Sequence, residues 1–258
     1  MTDSILYTRD GALARLTFNR PASLNAMGFE MGRRWRDLAH EVTADPSVGA
    51  VILDAAGPAF CAGGDVLEMG SGGARGTDVT AMADVIHDGI RTFVESDKPI
   101  VAAVQGAVAG GGLGLMLTAD YIVASPRAQF VSRYANIGLT PDLGVSTLLV
   151  AAIGQTRALR LLLRDETIHP DTALDWGLIS EVSIDPAKRA AEVADFWLQN
   201  ATAAFGQAKR LVRTGAGRSF ADNLADEART IGAAFDTEES RVRVAAFAAA
   251  SARRKEKA

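Results

Sequence analysis

The chain has 258 residues, 48% hydrophobic and 22% charged, which is ordinary globular composition with enough apolar material for a sizeable core. Its formal charge of −4 and pI near 5.5 leave no basic field for nucleic acid or an anionic lipid surface. No apolar run is long enough to span a bilayer, so no membrane partner is expected.

The N-terminal MTDSILYTRDG has no basic stretch followed by an apolar one. No secretory signal is visible, and a cytoplasmic location is expected. ILYT and ALARLTF read as two short strands about a turn at Asp10-Gly11. After NRPASLNAM, Met31, Trp35, Leu38 and Val42 recur at four-three-four spacing and predict a helix. AVILDAAG is a buried strand that runs into FCAGGDVLEM, and the Gly-rich GSGGARG predicts a mobile link. Val79, Met82, Ile86, Ile90 and Phe93 mark a second amphipathic helix. IVAAVQG is a buried strand, and GGGLGLMLTAD opens a helix. YIVAS and AQFVS are short strands; GVSTLLVAAIG and QTRALRLLL read as helices. Each unit is roughly strand, strand, helix, which is α/β by pattern.

After about Pro186 the strands stop, so residues 1–186 form one region and 187–258 a helical one rich in Ala and Arg. There SFADNLADEARTIGAAF carries Phe220, Leu224, Ile231 and Phe235. Such a helix either packs on its own core or makes a subunit interface. The charged end ARRKEKA is expected to fray.

Two glycine stretches raise the question of chemistry. GGGLGL lacks the G-x-G-x-x-G spacing of a dinucleotide site, and no Gly-Lys-Ser/Thr follows as in a phosphate loop. Glycines at a strand-to-helix junction do expose backbone N–H groups at the positive end of a helix dipole. A developing oxyanion could sit on the Gly111 N–H, with Gly64 N–H as the second donor. The alternative is that both loops are tight packing turns. Cys61, the only cysteine, excludes an internal disulfide and fits a reducing compartment. With no histidine close in sequence it reads as a small buried hydrophobe rather than a nucleophile. His40, His87 and His169 are scattered and show no metal-ligand spacing, so no metal is expected. His87 falls on the flank of an apolar helix face. Asp142, after a proline and before an apolar helix, is either an N-cap or a carboxylate facing a pocket.

Together these stretches resemble the crotonase, or enoyl-CoA hydratase/isomerase, superfamily. The resemblance runs in order through the whole chain: NRPASLNAM, FCAGGDVLEM, GAVAGGGLGLMLTAD, AQFVSRYANIGLTPDLGVSTLL and ALDWGLISEV. It implies a ClpP-like spiral of ββα units with a C-terminal helical trimerisation region, in trimers or hexamers. It implies acyl-CoA thioester substrates, with coenzyme A as part of the substrate and no separate cofactor. It assigns the amides of Gly64 and Gly111 to an oxyanion hole, where loss of one donor typically costs roughly 3–4 kcal/mol of barrier. The family's hydratases carry two glutamates at the positions of Gly114 and Tyr134, and both are absent here. The remaining acid, Asp142, resembles the catalytic aspartate of double-bond isomerases of the phenylacetate-pathway type. The expectation is therefore an enoyl-CoA isomerase with Asp142 as proton shuttle. Hydratase chemistry is one alternative. Another follows chlorobenzoyl-CoA dehalogenases, which have a nucleophilic aspartate, a histidine and a tryptophan where Asp142, His87 and Tyr134 fall. A non-catalytic acyl-CoA binder and a peptidase are the remaining ones; for the latter no Ser–His pair is recognisable. The resemblance also places Ala22, Leu24, Ala62, Asp65, Val66 and Leu67 at the coenzyme A handle, and Phe247 at the border of the coenzyme A pocket of a neighbouring subunit. A lysine common near the C-terminus is Ala250 here, so Arg253 or Arg254 is a substitute for phosphate recognition.

Overall fold

The computed structural model describes residues 3–71 and 75–255. Strands β1 (Ile5–Asp10) and β2 (Leu13–Phe18) form an antiparallel hairpin with Ile5 opposite Phe18. It turns at Gly11 with φ +54, where glycine carries no steric penalty. Parallel to β2 run β3 (Ala50–Ala55), β5 (Ile100–Val104), β7 (Tyr121–Ala124) and β9 (Glu181–Val182). They complete a six-stranded sheet of order β1-β2-β3-β5-β7-β9. A second, three-stranded parallel sheet holds β4 (Ala59–Cys61), β6 (Ala107–Ala109) and β8 (Gln129–Val131). The first unit gives both strands to the large sheet; the next three (β3-β4, β5-β6, β7-β8) each give one strand to the large sheet and the next to the small one before a helix returns the chain. This is the strand-strand-helix unit that the sequence pattern predicts.

The strand β3 buries both of its faces. Val51 and Leu53 point into the main core, and Ala50 and Ile52 into a second cluster. Alternate residues of β5 divide in the same way. That is why AVIL and IVAAV are unbroken apolar runs. The main core is anchored by α1 (Phe29–Ala44), which buries the predicted stripe of Met31, Trp35, Leu38 and Val42. Trp35 meets Phe93 at a centroid distance of 5.1 Å, and Phe18 meets Phe60 at 5.4 Å. The second cluster is closed by Ala190, Val193 and Ala194 of α7 (Pro186–Leu198).

Helices α2 (Val66–Ser71), α3 (Gly76–Glu95) and α4 (Gly111–Leu117) follow the small-sheet strands or lead into the next unit. The flanks of the predicted mobile link are helical, and its residues 72–74 lie outside the described residues. Helix α5 (Val145–Arg164) is broken at Gly154 (φ 76, ψ 158), where GVSTLLVAAIG and QTRALRLLL meet. Neither half approaches the ~20 residues needed to cross a bilayer. Helix α6 (Pro170–Trp176) precedes β9. Then come α8 (Thr202–Gly215), α9 (Phe220–Phe235) and α10 (Glu238–Lys255). The apolar stripe of α9 does not pack on the chain's own core: Phe220 is 80% exposed and Ile231 72%. Of the charged end ARRKEKA, for which fraying is expected, residues 252–255 instead continue α10, and 256–258 lie outside the described residues.

Candidate active site

The three strands of the small sheet run side by side and parallel, so their carboxyl ends open on one edge, the side on which open α/β sheets hold ligands. From β4 the chain enters Ala62–Asp65, from β6 it enters Gly110-Gly111, and from β8 it enters Ser132–Tyr134. The first two loops touch. Gly63 has φ +102, and a Cβ there would lie 2.9 Å from Ala109 O and 3.3 Å from Gly111 N. A Cβ on Gly112 would stand 2.3 Å from Cys61 O. The glycines are therefore packing residues, as the plainer reading holds. The same packing leaves two donors: among the described residues, neither Gly64 N–H nor Gly111 N–H donates to a protein acceptor, and both residues line one cavity.

The NRPASLNAM stretch clamps the first loop from below. Met27 N–H donates to Gly63 O at 2.7 Å, and Asp65 N–H donates to Met27 O at 3.0 Å. Asn25 is fully buried with φ +57; its Nδ2 donates to Ala56 O and Ala59 O at 2.9 and 2.8 Å. Arg20 Nη2 pairs with Asp65 Oδ2 at 2.9 Å, and Asp65 Oδ1 accepts from Glu68 N at 3.1 Å. Burial pushes the Asp65 carboxyl up, but the Glu68 amide and the Arg20 guanidinium more than offset this and hold it below the usual range. Cys61 is wholly buried, and burial pushes its thiol up to about 12. It stays a thiol at neutral pH and serves as packing.

On the same cavity as the two amides stands a pair that the sequence does not bring together. His87 comes from α3, and Asp142 from the loop before α5. His87 Nε2 lies 2.6 Å from Asp142 Oδ1. An ionised Asp142 accepts from Nε2–H; a protonated one donates to Nε2. The two side chains are 43% and 41% exposed, so the pair reaches both the cavity and solvent. Asp142 is not an N-cap: that position is Gly144, and Val145 N–H is met by the Asp142 backbone carbonyl at 3.1 Å. The carboxylate is left for His87. Tyr134 Oη donates to Asp142 O at 3.1 Å, and burial raises its pKa, so it remains a neutral hydroxyl.

The cavity holds about 550 Å³ and is lined by Gly64, Gly111, His87, Tyr134 and Asp142. Ala62, Asp65 and Val66 also border it. Ala22, Leu24 and Leu67 do not, and Leu67 is 85% exposed; Phe247, on α10, is 75% exposed on the outside of this chain, as a residue offered to a neighbouring copy must be. Val79, Met82 and Ile86 form an apolar wall. The sequence marks these three as a helix stripe but cannot distinguish lining a pocket from filling a core. At Gly114 a Cβ would come 1.9 Å from Leu143 O, so no side chain fits there. Leu143, with φ +53, is a residue that sequence reasoning missed. Among the described residues no cluster of three His, Cys, Asp or Glu side chains could hold a metal ion.

The description "Enoyl-CoA hydratase/isomerase" belongs to the family model that matches residues 8–255. The chain belongs to the enoyl-CoA hydratase/isomerase family. A Mycobacterium tuberculosis protein named "Probable enoyl-CoA hydratase EchA14" is 34% identical over 192 residues, 74% of each chain. A trans-2-decenoyl-[acyl-carrier-protein] isomerase of Streptococcus mutans is 32% identical over 181 residues, covering 69% of this chain and 68% of that one. The crystal structure of an enoyl-CoA hydratase from Polaromonas sp. JS666 superposes with a TM-score of 0.87 at 28% identity, covering 95% of this chain and 96% of the other. The architecture is accordingly the crotonase fold with C-terminal helices, and the chain is an acyl-CoA enzyme of that superfamily. Relatives named hydratase and isomerase both occur, so the reaction must be argued from the side chains.

Proposed function

We propose that this enzyme is an enoyl-CoA double-bond isomerase. The observation that carries the reading is the His87–Asp142 pair on the cavity that Gly64 and Gly111 also line. The thioester oxygen sits between the two amides, which stabilise the charge of the dienolate. Asp142 takes a proton from the carbon next to the carbonyl and returns it two carbons away, so the double bond moves at constant mass. His87 orients the carboxylate and exchanges its proton with solvent.

Hydration needs an acid and a base on one water. The position of one family glutamate is Gly114, which Leu143 O closes to any side chain. The other is Tyr134, whose hydroxyl is spent on Asp142 O. The same pair gives some support to a second reading, in which Asp142 attacks an aryl-CoA ring carbon and His87 activates water to release the product. Against it, Tyr134 donates to the Asp142 backbone and not to its carboxylate. The deciding experiment incubates the protein separately with a 3-enoyl-CoA and a 2-enoyl-CoA and follows mass and ultraviolet absorbance. A double-bond shift without mass change is the expected result. A gain of one water would overturn the proposal.

A further inference from the structure

The helices that carry His87 and Gly111 are both held at their far ends by one helix of the C-terminal region. Six residues beyond His87, Phe93 O accepts from Lys209 Nζ at 2.8 Å. The same ammonium donates to Lys98 O at 2.7 Å and pairs with Asp120 Oδ2 at 3.3 Å. Six residues beyond Gly111, Leu117 O accepts from Arg213 Nη2 at 3.3 Å, and Ala119 O does so at 2.6 Å. Arg213 Nε donates to the other oxygen of Asp120 at 3.0 Å. Asp120 Oδ2 also accepts from Ile100 N, at the start of β5. Lys209 and Arg213 are one turn apart on α8. That helix lies close against the chain, for a Cβ on Gly206 would come 2.0 Å from Asp97 O.

We propose that Lys209 and Arg213 are positioning residues, which tie the carbonyl ends of α3 and α4 to each other through Asp120 and so fix His87 relative to the Gly111 amide. The inference rests on the site reading above. Each functional group lies roughly 9 Å along its helix from a clamped carbonyl. Helix α4 is short and wholly buried, so losing the clamp tilts it rather than melting it. A cation at its carbonyl end also complements the dipole whose positive end meets the developing oxyanion. An apolar side chain would dock α8 without the cost of burying an ammonium that is only 8% exposed. A misplacement of about 1 Å at the reacting centre costs about a hundredfold in rate.

The test uses the full chain and a conjugated dienoyl-CoA, whose absorbance moves to longer wavelength when its carbonyl is polarised. Wild type should show the shift. Arg213→Met should lose at least about half of it, with kcat down about ten- to a hundredfold and KM within about threefold. Lys209→Met should act in the same direction. A full shift and unchanged kcat in folded Arg213→Met would overturn the proposal. Should that variant not fold, Arg213→Lys is read instead. It keeps the charge beside Asp120 but lacks the fork for two carbonyls, and a full shift there overturns the proposal equally. No shift in the wild type would instead strike the oxyanion reading, and this inference with it.

Discussion

Asp142 meets His87 at 2.6 Å across a gap of 55 residues, and the chemistry of the site turns on that contact. Replacing Asp142 with Asn keeps the shape and removes the base. Turnover should fall by about 10²–10⁴, the usual contribution of a positioned acid or base. Binding of a thioester should stay within about threefold of wild type, since the amides and the apolar wall of Val79, Met82 and Ile86 are untouched. Single-turnover kinetics together with a titration separate the two quantities. Undiminished turnover would remove Asp142 from the mechanism. In sequence, Asp142 is legible as a carboxylate just before an apolar helix, but its alternative role as a cap has the same signature. Only the folded chain shows Gly144 taking the cap position and the carboxylate turning to His87. Leu143 carries no signal at all. Its influence runs through a backbone carbonyl that closes Gly114, and side-chain pattern does not report backbone placement.

At the scale of elements, periodicity finds what is long. The stripe of α1 and the division of α5 at Gly154 follow from it. It misses β6 and β9, of three and two residues, which are too short to show a period and exist because neighbouring strands offer a parallel edge. It also misses that α8 buries Lys209, since a lysine in a helical pattern ordinarily marks a solvated face. That burial has a measurable consequence. Desolvation lowers Lys209 from 10.5 to about 8 and outweighs the pull of Asp120; the other charged groups acting on it are Arg213 and Asp97. Between about pH 8 and 10.5 the unfolded chain holds a proton at this site that the folded chain has released. Stability from this group therefore rises with pH across that window and is lowest below it. The span corresponds to about 3 kcal/mol as an order of magnitude. Unfolding free energies of wild type and Lys209→Met from urea titrations, compared at pH 7.5 and 10, should shift relative to each other by about 2 kcal/mol in favour of wild type at the higher pH. A constant difference would mean that Lys209 keeps an ordinary affinity for its proton.

The whole chain presents one surface that its own fold does not use. Helix α9 buries no residue, yet its apolar stripe is the one the sequence marks at Phe220, Leu224, Ile231 and Phe235. Phe220, Ile231 and Phe235 are 80%, 72% and 56% exposed, and a groove between α8 and α9 is lined by Leu211, Leu224 and Ile231. Sequence pattern shows that such a face must be buried somewhere, but not whether the same chain or another copy does it. The fold answers the first half: among the described residues, no element of this chain buries Phe220, Ile231 or Phe235. A single chain with this much contiguous apolar surface is expected to associate with itself. Most closed assemblies of identical chains arise in this way, each copy covering the face of the next. Light scattering on a sizing column should therefore give a multiple of 27.1 kDa for the wild type. Ile231→Lys with Phe235→Lys places two like charges on that face. Because both residues are already exposed, folding within one chain should change by no more than about 0.5 kcal/mol per site. The variant should run as a folded single chain with native-like circular dichroism. A wild type that elutes as one chain, or a variant that keeps the wild-type mass, would show that this face is not what joins the copies.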